Sequence, residues 1–149
     1  MNIQGWKEKA KEEKFQSEMK KLYGAKARDN GERYLALLDM YGEVYGDSQT
    51  ISLFSAPGRT EIGGNHTDHQ HGRVLAAAVD MDMIAAVSPI EEHEIRVQSE
   101  GYSMCRISLD DLAVKAEEKN STNALIRGVA AAFMERGCQV GGFQAVVKS

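Results

Sequence analysis

Only two cysteines, Cys105 and Cys138, two prolines, Pro57 and Pro89, and a single tryptophan, Trp6, occur among the 149 residues. The cysteines stand far apart and in no paired metal-ligand spacing, so they read as free thiols in a reducing compartment rather than as a disulfide or zinc framework. No apolar run nears the roughly 20 residues needed to cross a bilayer, and the N-terminal residues are a Lys/Glu mixture without the apolar centre of a secretory leader, so a cytoplasmic location is expected. A basic block is missing too. With 18 basic and 22 acidic side chains the formal charge is −4, which gives no electrostatic footprint for nucleic acid or an anionic membrane. What the chain does have is 42% hydrophobic residues, enough to build one ordinary domain with a real core and to argue against disorder.

Apolar periodicity sets the expected order of elements. Trp6, Ala10, Phe15, Met19 and Leu22 are sparse among alternating charges, which predicts an exposed helical arm over residues 1–30, best read as solvated. Gly24 and the stretch Arg28-Asp29-Asn30-Gly31 break that pattern, after which Tyr34, Leu37, Leu38, Tyr41 and Val44 share one helical face. Residues 51–55 are β-compatible. Residues 56–72 are too polar and glycine-rich for a regular element and read as a long loop. Two apolar pieces follow, 74–79 and 83–87, the second strand-like. Alternation in 94–98 and again at Cys105, Ile107 and Leu109 around Ser99-Glu100-Gly101 predicts a hairpin. Asn120, Ser121 or Thr122 should cap a helix carrying Leu125, Ile126, Val129, Phe133 and Met134, stopped by Gly137. A last strand spans 143–147.

This order implies an α+β fold, a mixed sheet with packed helices, with no internal repeat. The final strand, two residues from the end, should expose apolar side chains near Val146 and Val147 and so favour association.

The stretch SAPGRTEIGGNHTDHQHG, residues 55–72, concentrates a guanidinium, two carboxylates, three imidazoles and two carboxamides. Its glycines permit tight turns and close approach of a ligand. Arg59 offers a planar fork of donors suited to phosphate oxygens, and Asn65, His66 and Asp68 offer the mixed donors and acceptors that a hydroxyl-rich ligand needs. A metal site drawing on His66, Asp68, His69 and His71 competes, because all are ligand types. Alternating side-chain directions in an extended segment make their joint tetrahedral ligation awkward, and no metal is assigned. A polar surface loop with solvated histidines accounts for the same composition.

Here the sequence resembles a known family. Ser55-Ala56-Pro57-Gly58-Arg59 followed by Gly64-Asn65-His66-Thr67-Asp68 looks like the N-terminal signature of galactokinases, members of the GHMP small-molecule kinases, usually written GRVNLIGEHTDY. Residues 34–46 resemble the family helix before that motif, Gly72-Arg73-Val74-Leu75-Ala76 its continuation, and Leu125-Ile126-Arg127-Gly128-Val129 a later helix reading N-Y-V-K-G-V. The resemblance extends over about residues 31–149 and is specific over 56–72. It implies the N-terminal part of a GHMP-kinase-like domain: an incomplete sugar-binding region over 31–149 beside the arm.

By this resemblance, Arg59 matches the arginine beside the transferred phosphoryl group, and its task would be charge stabilisation. Asp68 matches the carboxylate that accepts from sugar ring hydroxyls. His66 and Asn65 match the pair that reads the primary hydroxyl. The implied reaction is transfer of the γ-phosphoryl group of ATP, with Mg²⁺, to the C1 hydroxyl of galactose or a related monosaccharide. Asn65 replaces an acidic residue of the motif, so a different sugar is also admitted. Glu61, Gly63 and His69 depart from the motif as well, and Thr122 and Leu125 align where relatives often carry aromatics near the nucleotide base.

Family members follow the strand resembling 143–148 with a phosphate loop of the type PxGxGLSSSA, and no such loop occurs in these 149 residues. The chain is therefore expected to be truncated before that loop and to supply the sugar-binding half without turnover of its own, activity requiring a longer or complementary chain; the expected partners are a complementary C-terminal chain or a second copy through self-association. A non-catalytic sugar-binding or regulatory remnant is the alternative.

Overall fold

The computed structural model describes residues 1–64 and 67–149. Three helices open the chain: α1 (Ile3–Lys9), α2 (Glu13–Tyr23) and α3 (Ala27–Tyr45). Five strands follow, β1 (Ser52–Gly63), β2 (Leu75–Pro89), β3 (Glu94–Ser99), β4 (Cys105–Ser108) and β5 (Phe143–Lys148), with α4 (Thr122–Glu135) between β4 and β5. They form one mixed sheet in the order β1-β2-β5-β3-β4, in which only the β3–β5 pair is parallel. The expected α+β class and mixed sheet are what the structure has.

Strand alternation divides the core into two layers. On β5, Gln144 and Val146 face α3, while Phe143 turns the other way, towards α4. The first layer gathers Ile3, Met19, Leu37, Leu38, Tyr41, Ile51, Ile84, Ala86 and Val146; the second gathers Ile95, Cys105, Ile107, Leu109 and Ala130. Within the first, Tyr41 Oη hydrogen-bonds Ser88 Oγ and accepts from Gln144 Nε2 at 2.8 Å. This pins α3, β2 and β5 in one register, because slipping any of them would strand a buried polar group.

Four sequence expectations change. The N-terminal segment is not a solvated arm. Ile3 and Met19 are core residues, Trp6 and Phe15 pack against that core, and Trp6 Nε1 donates to the Ile51 carbonyl at 2.9 Å. A few well-spaced apolar side chains suffice once α3 offers a face. Residues 28–31 do not break a helix either, since α3 starts at Ala27 and the buried Asn30 donates to the Lys26 carbonyl four residues back. Val146 is fully buried rather than exposed, because β5 lies in the middle of the sheet between β2 and β3. On α4 the inward residues are Ile126 and Ala130, and Leu125, Val129 and Phe133 face outward.

Other expectations hold. The β3–β4 hairpin forms as read, Ser121 caps α4 by accepting from the Ala124 N–H at 3.2 Å, and the last strand is in place. Both cysteines are free thiols, and burial pushes the Cys105 thiol upward. Among the described residues no helix is long and apolar enough to cross a membrane.

Candidate functional site

The expected loop over 56–72 is half strand. β1 continues through Gly63, and its outer part pairs with the outer part of β2, Arg59 opposite Ala78 and Glu61 opposite Ala76, with ladder irregularities between Pro57 and Arg59 and between Glu61 and Gly63. Because β2 pairs with β5 only over Ile84–Pro89, this outer section is a two-stranded ribbon standing clear of the main sheet. Polar side chains are compatible with a strand here because the ribbon exposes most of its surface, residues 56–64 included. Sequence patterning misses such a strand: nothing in it alternates, and its partner is a run of alanines 15 to 20 residues further on.

At the ribbon's tip the chain folds back through a short 3₁₀ turn, Asp68–Gln70. Thr67 organises this loop: its hydroxyl donates to the Gly64 carbonyl at 2.7 Å, and its carbonyl accepts from the N–H groups of Gln70 at 3.0 Å and Gly72 at 2.8 Å. Gly64 itself has φ +102°, and a Cβ there would lie 2.4 Å from the Arg73 carbonyl oxygen and 2.6 Å from the Val74 Cα. Only glycine closes the ribbon this way.

Of the predicted site residues, Arg59 and Asp68 fall on this one structure. Arg59 is exposed on β1, four residues and roughly 13 Å of strand before the loop. Asp68 opens the 3₁₀ turn. Asn65 and His66 lie outside the described residues. Of the competing metal ligands, His69 sits in the 3₁₀ turn and His71 takes a left-handed conformation at φ 62°. Among the described residues no group of three or more His, Cys, Asp or Glu could hold a metal ion.

Sequence reasoning missed what lies at the ribbon's base. Asp82 accepts hydrogen bonds from Tyr23, Ser55 and Arg33, and Asp80 pairs with Lys26 at 2.8 Å. The available signal was two carboxylates in an otherwise apolar stretch, residues 74–87. Burial pushes the Asp82 carboxyl up, but the bonds from Ser55, Tyr23 and Arg33 and the nearby guanidinium outweigh it and leave the group below its ordinary 3.8. Burial and the Asp82 bond together push the Tyr23 phenol well upward.

A carboxyl held low in the folded state stabilises it fully above the unfolded value, and that contribution is lost as pH falls through the folded value. Thermal unfolding followed from about pH 5 to about pH 2 should therefore show a loss of stability beginning below 3.8 that is smaller in Asp82→Asn. An identical acid limb in both proteins would count against the assignment.

Known proteins match this geometry. The model of the galactokinase galactose-binding signature matches residues 39–89, from the second half of α3 to the end of β2. A galactokinase of Bacillus subtilis (strain 168) is 32% identical over 107 residues, 70% of this chain and 27% of the relative. A galactokinase of Lactococcus lactis subsp. cremoris (strain MG1363) is 26% identical over 117 residues, 76% of this chain and 29% of the relative. Among solved structures, Lactococcus lactis galactokinase complexed with galactose superposes with a TM-score of 0.70 at 24% identity, covering 78% of this chain and 31% of that one. Methanococcus jannaschii mevalonate kinase superposes with a TM-score of 0.50 at 13% identity, over 67% of this chain and 32% of that one. The fold is that of part of a GHMP kinase.

This chain spans less than a third of the length of these relatives. Within the class, the match is to galactokinases, whose galactose-binding signature the chain carries, and the partial coverage fits the N-terminal portion of such an enzyme.

Proposed function

We propose that the chain supplies the sugar-binding part of an ATP-dependent, Mg²⁺-requiring phosphotransferase acting on the C1 hydroxyl of galactose, in the cytoplasm. The observation that carries this reading is the coincidence of the galactose-binding signature with the ribbon and its closing loop, residues 39–89. Arg59 then lies on the β-ribbon and Asp68 in the 3₁₀ turn that follows it, as a pocket wall would require. In this reading Asp68 accepts from ring hydroxyls, Asn65 and His66 read the primary hydroxyl, and Arg59 stabilises charge on the phosphoryl group in transit. Such transfer relies on positioning and fixed positive charge more than on covalent help.

ATP and Mg²⁺ would supply the phosphoryl group and charge neutralisation. Their phosphate loop belongs, by family resemblance, beyond the strand corresponding to β5. No residue described here is assigned to them, and no step is routed through them. Turnover accordingly belongs to an assembly with the remaining kinase elements, whether in a longer chain or in a complementary C-terminal one.

Titration calorimetry with galactose on the 149-residue protein tests the reading. The wild-type chain should give a binding heat, and Asp68→Ala should weaken binding by about tenfold or more, the worth of charge-assisted bonds to hydroxyls. Equal heats for the two proteins would remove Asp68 from the site. Asn65 in place of an acidic residue is the specific observation favouring another sugar, so the same titration with epimeric hexoses decides specificity.

A further inference from the structure

Arg59 and Asp68 both lie beyond the point where the ribbon leaves the sheet, and one side chain holds that point. Asp82 stands on β2 opposite Pro57, two residues before β2 begins pairing with β5 at Ile84. Its side chain is 4% exposed, although its neighbours Met81 and Met83 are 69% and 53% exposed. Alternation turns it to the face of Ile84 and Ala86, towards α3.

Three elements converge on it. Asp82 Oδ2 accepts from Tyr23 Oη of α2 and from Ser55 Oγ of β1, each at 2.5 Å, and Oδ1 accepts from Arg33 Nη1 of α3 at 2.7 Å. Arg33 Nη2 donates to the Asp82 carbonyl at 2.8 Å, and Asn30 Oδ1 accepts from Nη1 at 2.6 Å, so the guanidinium is itself oriented. One alternation further out, Asp80 takes Lys26 at 2.8 Å.

We propose that Asp82 is a positioning residue of the sugar site: by tying the ribbon's root to α2 and α3 it fixes the direction in which Arg59 and the loop after Gly63 are presented. The inference rests on the sugar-binding reading above. A two-stranded ribbon is marginal on its own, and outside Ile84 no third strand pairs with β2 among the described residues. Its orientation must therefore be set at the base. A carboxylate suits that task because it accepts from three donors at once, and charge-assisted bonds are shorter and stronger than neutral ones. An apolar residue would fill the space and leave the Arg33 charge and two hydroxyls without their acceptor. An asparagine keeps the shape but turns one acceptor into a donor facing other donors.

The test compares wild type, Asp82→Asn and Tyr23→Phe by amide hydrogen exchange and galactose calorimetry. Tyr23→Phe removes one bond to Oδ2, keeps the Arg33 pair, and serves if Asp82→Asn fails to fold. Exchange at ribbon amides opposite one another, such as Thr60 and Ala77, should accelerate by about tenfold in Asp82→Asn and by a smaller factor in Tyr23→Phe, while Val97 and Ala145 amides hold near wild type. Galactose affinity should fall in parallel, and Asp82→Glu should restore part of both.

Unchanged ribbon exchange and affinity in the folded variants would overturn the proposal, as would equal acceleration of ribbon and β3–β5 amides, which marks a merely global loss. If wild type gives no galactose heat, the sugar-binding reading fails by itself; the exchange ratio still decides whether Asp82 fixes the ribbon.

Discussion

Gly142→Ala should cost the fold about 3 kcal/mol or more, the largest loss of stability expected from any single methyl group added here. A Cβ at position 142 would lie 1.8 Å from the Glu92 carbonyl oxygen and 3.1 Å from that of Glu94. Both are backbone atoms, and neither can swing aside. The Glu92 carbonyl already accepts from the Glu94 N–H at 2.8 Å, and the Gly142 carbonyl accepts from the Ile90 N–H at 3.0 Å, so the turn into β3 and the approach to β5 are locked together. Relief would have to displace β5 from its place between β2 and β3. Chemical denaturation followed by circular dichroism and by the fluorescence of Trp6, the single tryptophan, measures the change; a midpoint within error of wild type would show that the two segments are not in contact.

Gly64→Ala should act in the opposite manner, sparing stability and removing sugar binding. Its methyl group would collide with the Arg73 carbonyl and the Val74 Cα, and φ +102° is costly for any residue with a Cβ. The loop must open, carrying Asp68 with it. Because this end of the ribbon touches neither core layer, the melting midpoint should move by only about 0.5 kcal/mol in equivalent terms. A displacement near 1 Å in a site that depends on orientation is worth about a hundredfold, and galactose affinity should fall by that order. Calorimetry and thermal melts on the same sample decide it: wild-type affinity in Gly64→Ala would show that the closing loop does not form the sugar site.

How far the sequence discloses this molecule depends on where the instructions are local. The β3–β4 hairpin alternates in both arms around a Gly101 turn, and α4 carries its own cap at Ser121; each is legible because its pattern is contained within a few residues. The outer half of β1 is not, since Arg59 to Gly63 becomes strand through pairing with Leu75 to Ala78, and nothing within the segment announces it. The N-terminal helices are missed for the same reason: Met19 is core only because α3 lies under it. Val146 reads as an exposed end from its place in the chain and is buried by its place in the sheet. For the site, the motif is legible as chemistry over residues 55–72 and as a family resemblance, and the galactokinase galactose-binding signature matches across it. Asp82 shows in the sequence only as a carboxylate in an apolar stretch, and its role is not legible there, because its donors are drawn from positions 23, 33 and 55 and meet only in the folded chain.

The central position of β5 also has a kinetic consequence. Two antiparallel pairs, β1 with β2 and β3 with β4, arise from neighbouring stretches and close early at little entropic expense, but among the described residues the sheet joins them only through β5, Phe143–Lys148. During synthesis both halves emerge from the ribosome with one apolar margin uncovered and wait for β5, which follows them in the chain, to be made and inserted between them. Assembly of this sheet is therefore a late, single event, and the interval before it is when a nascent chain is most open to pairing with the wrong neighbour.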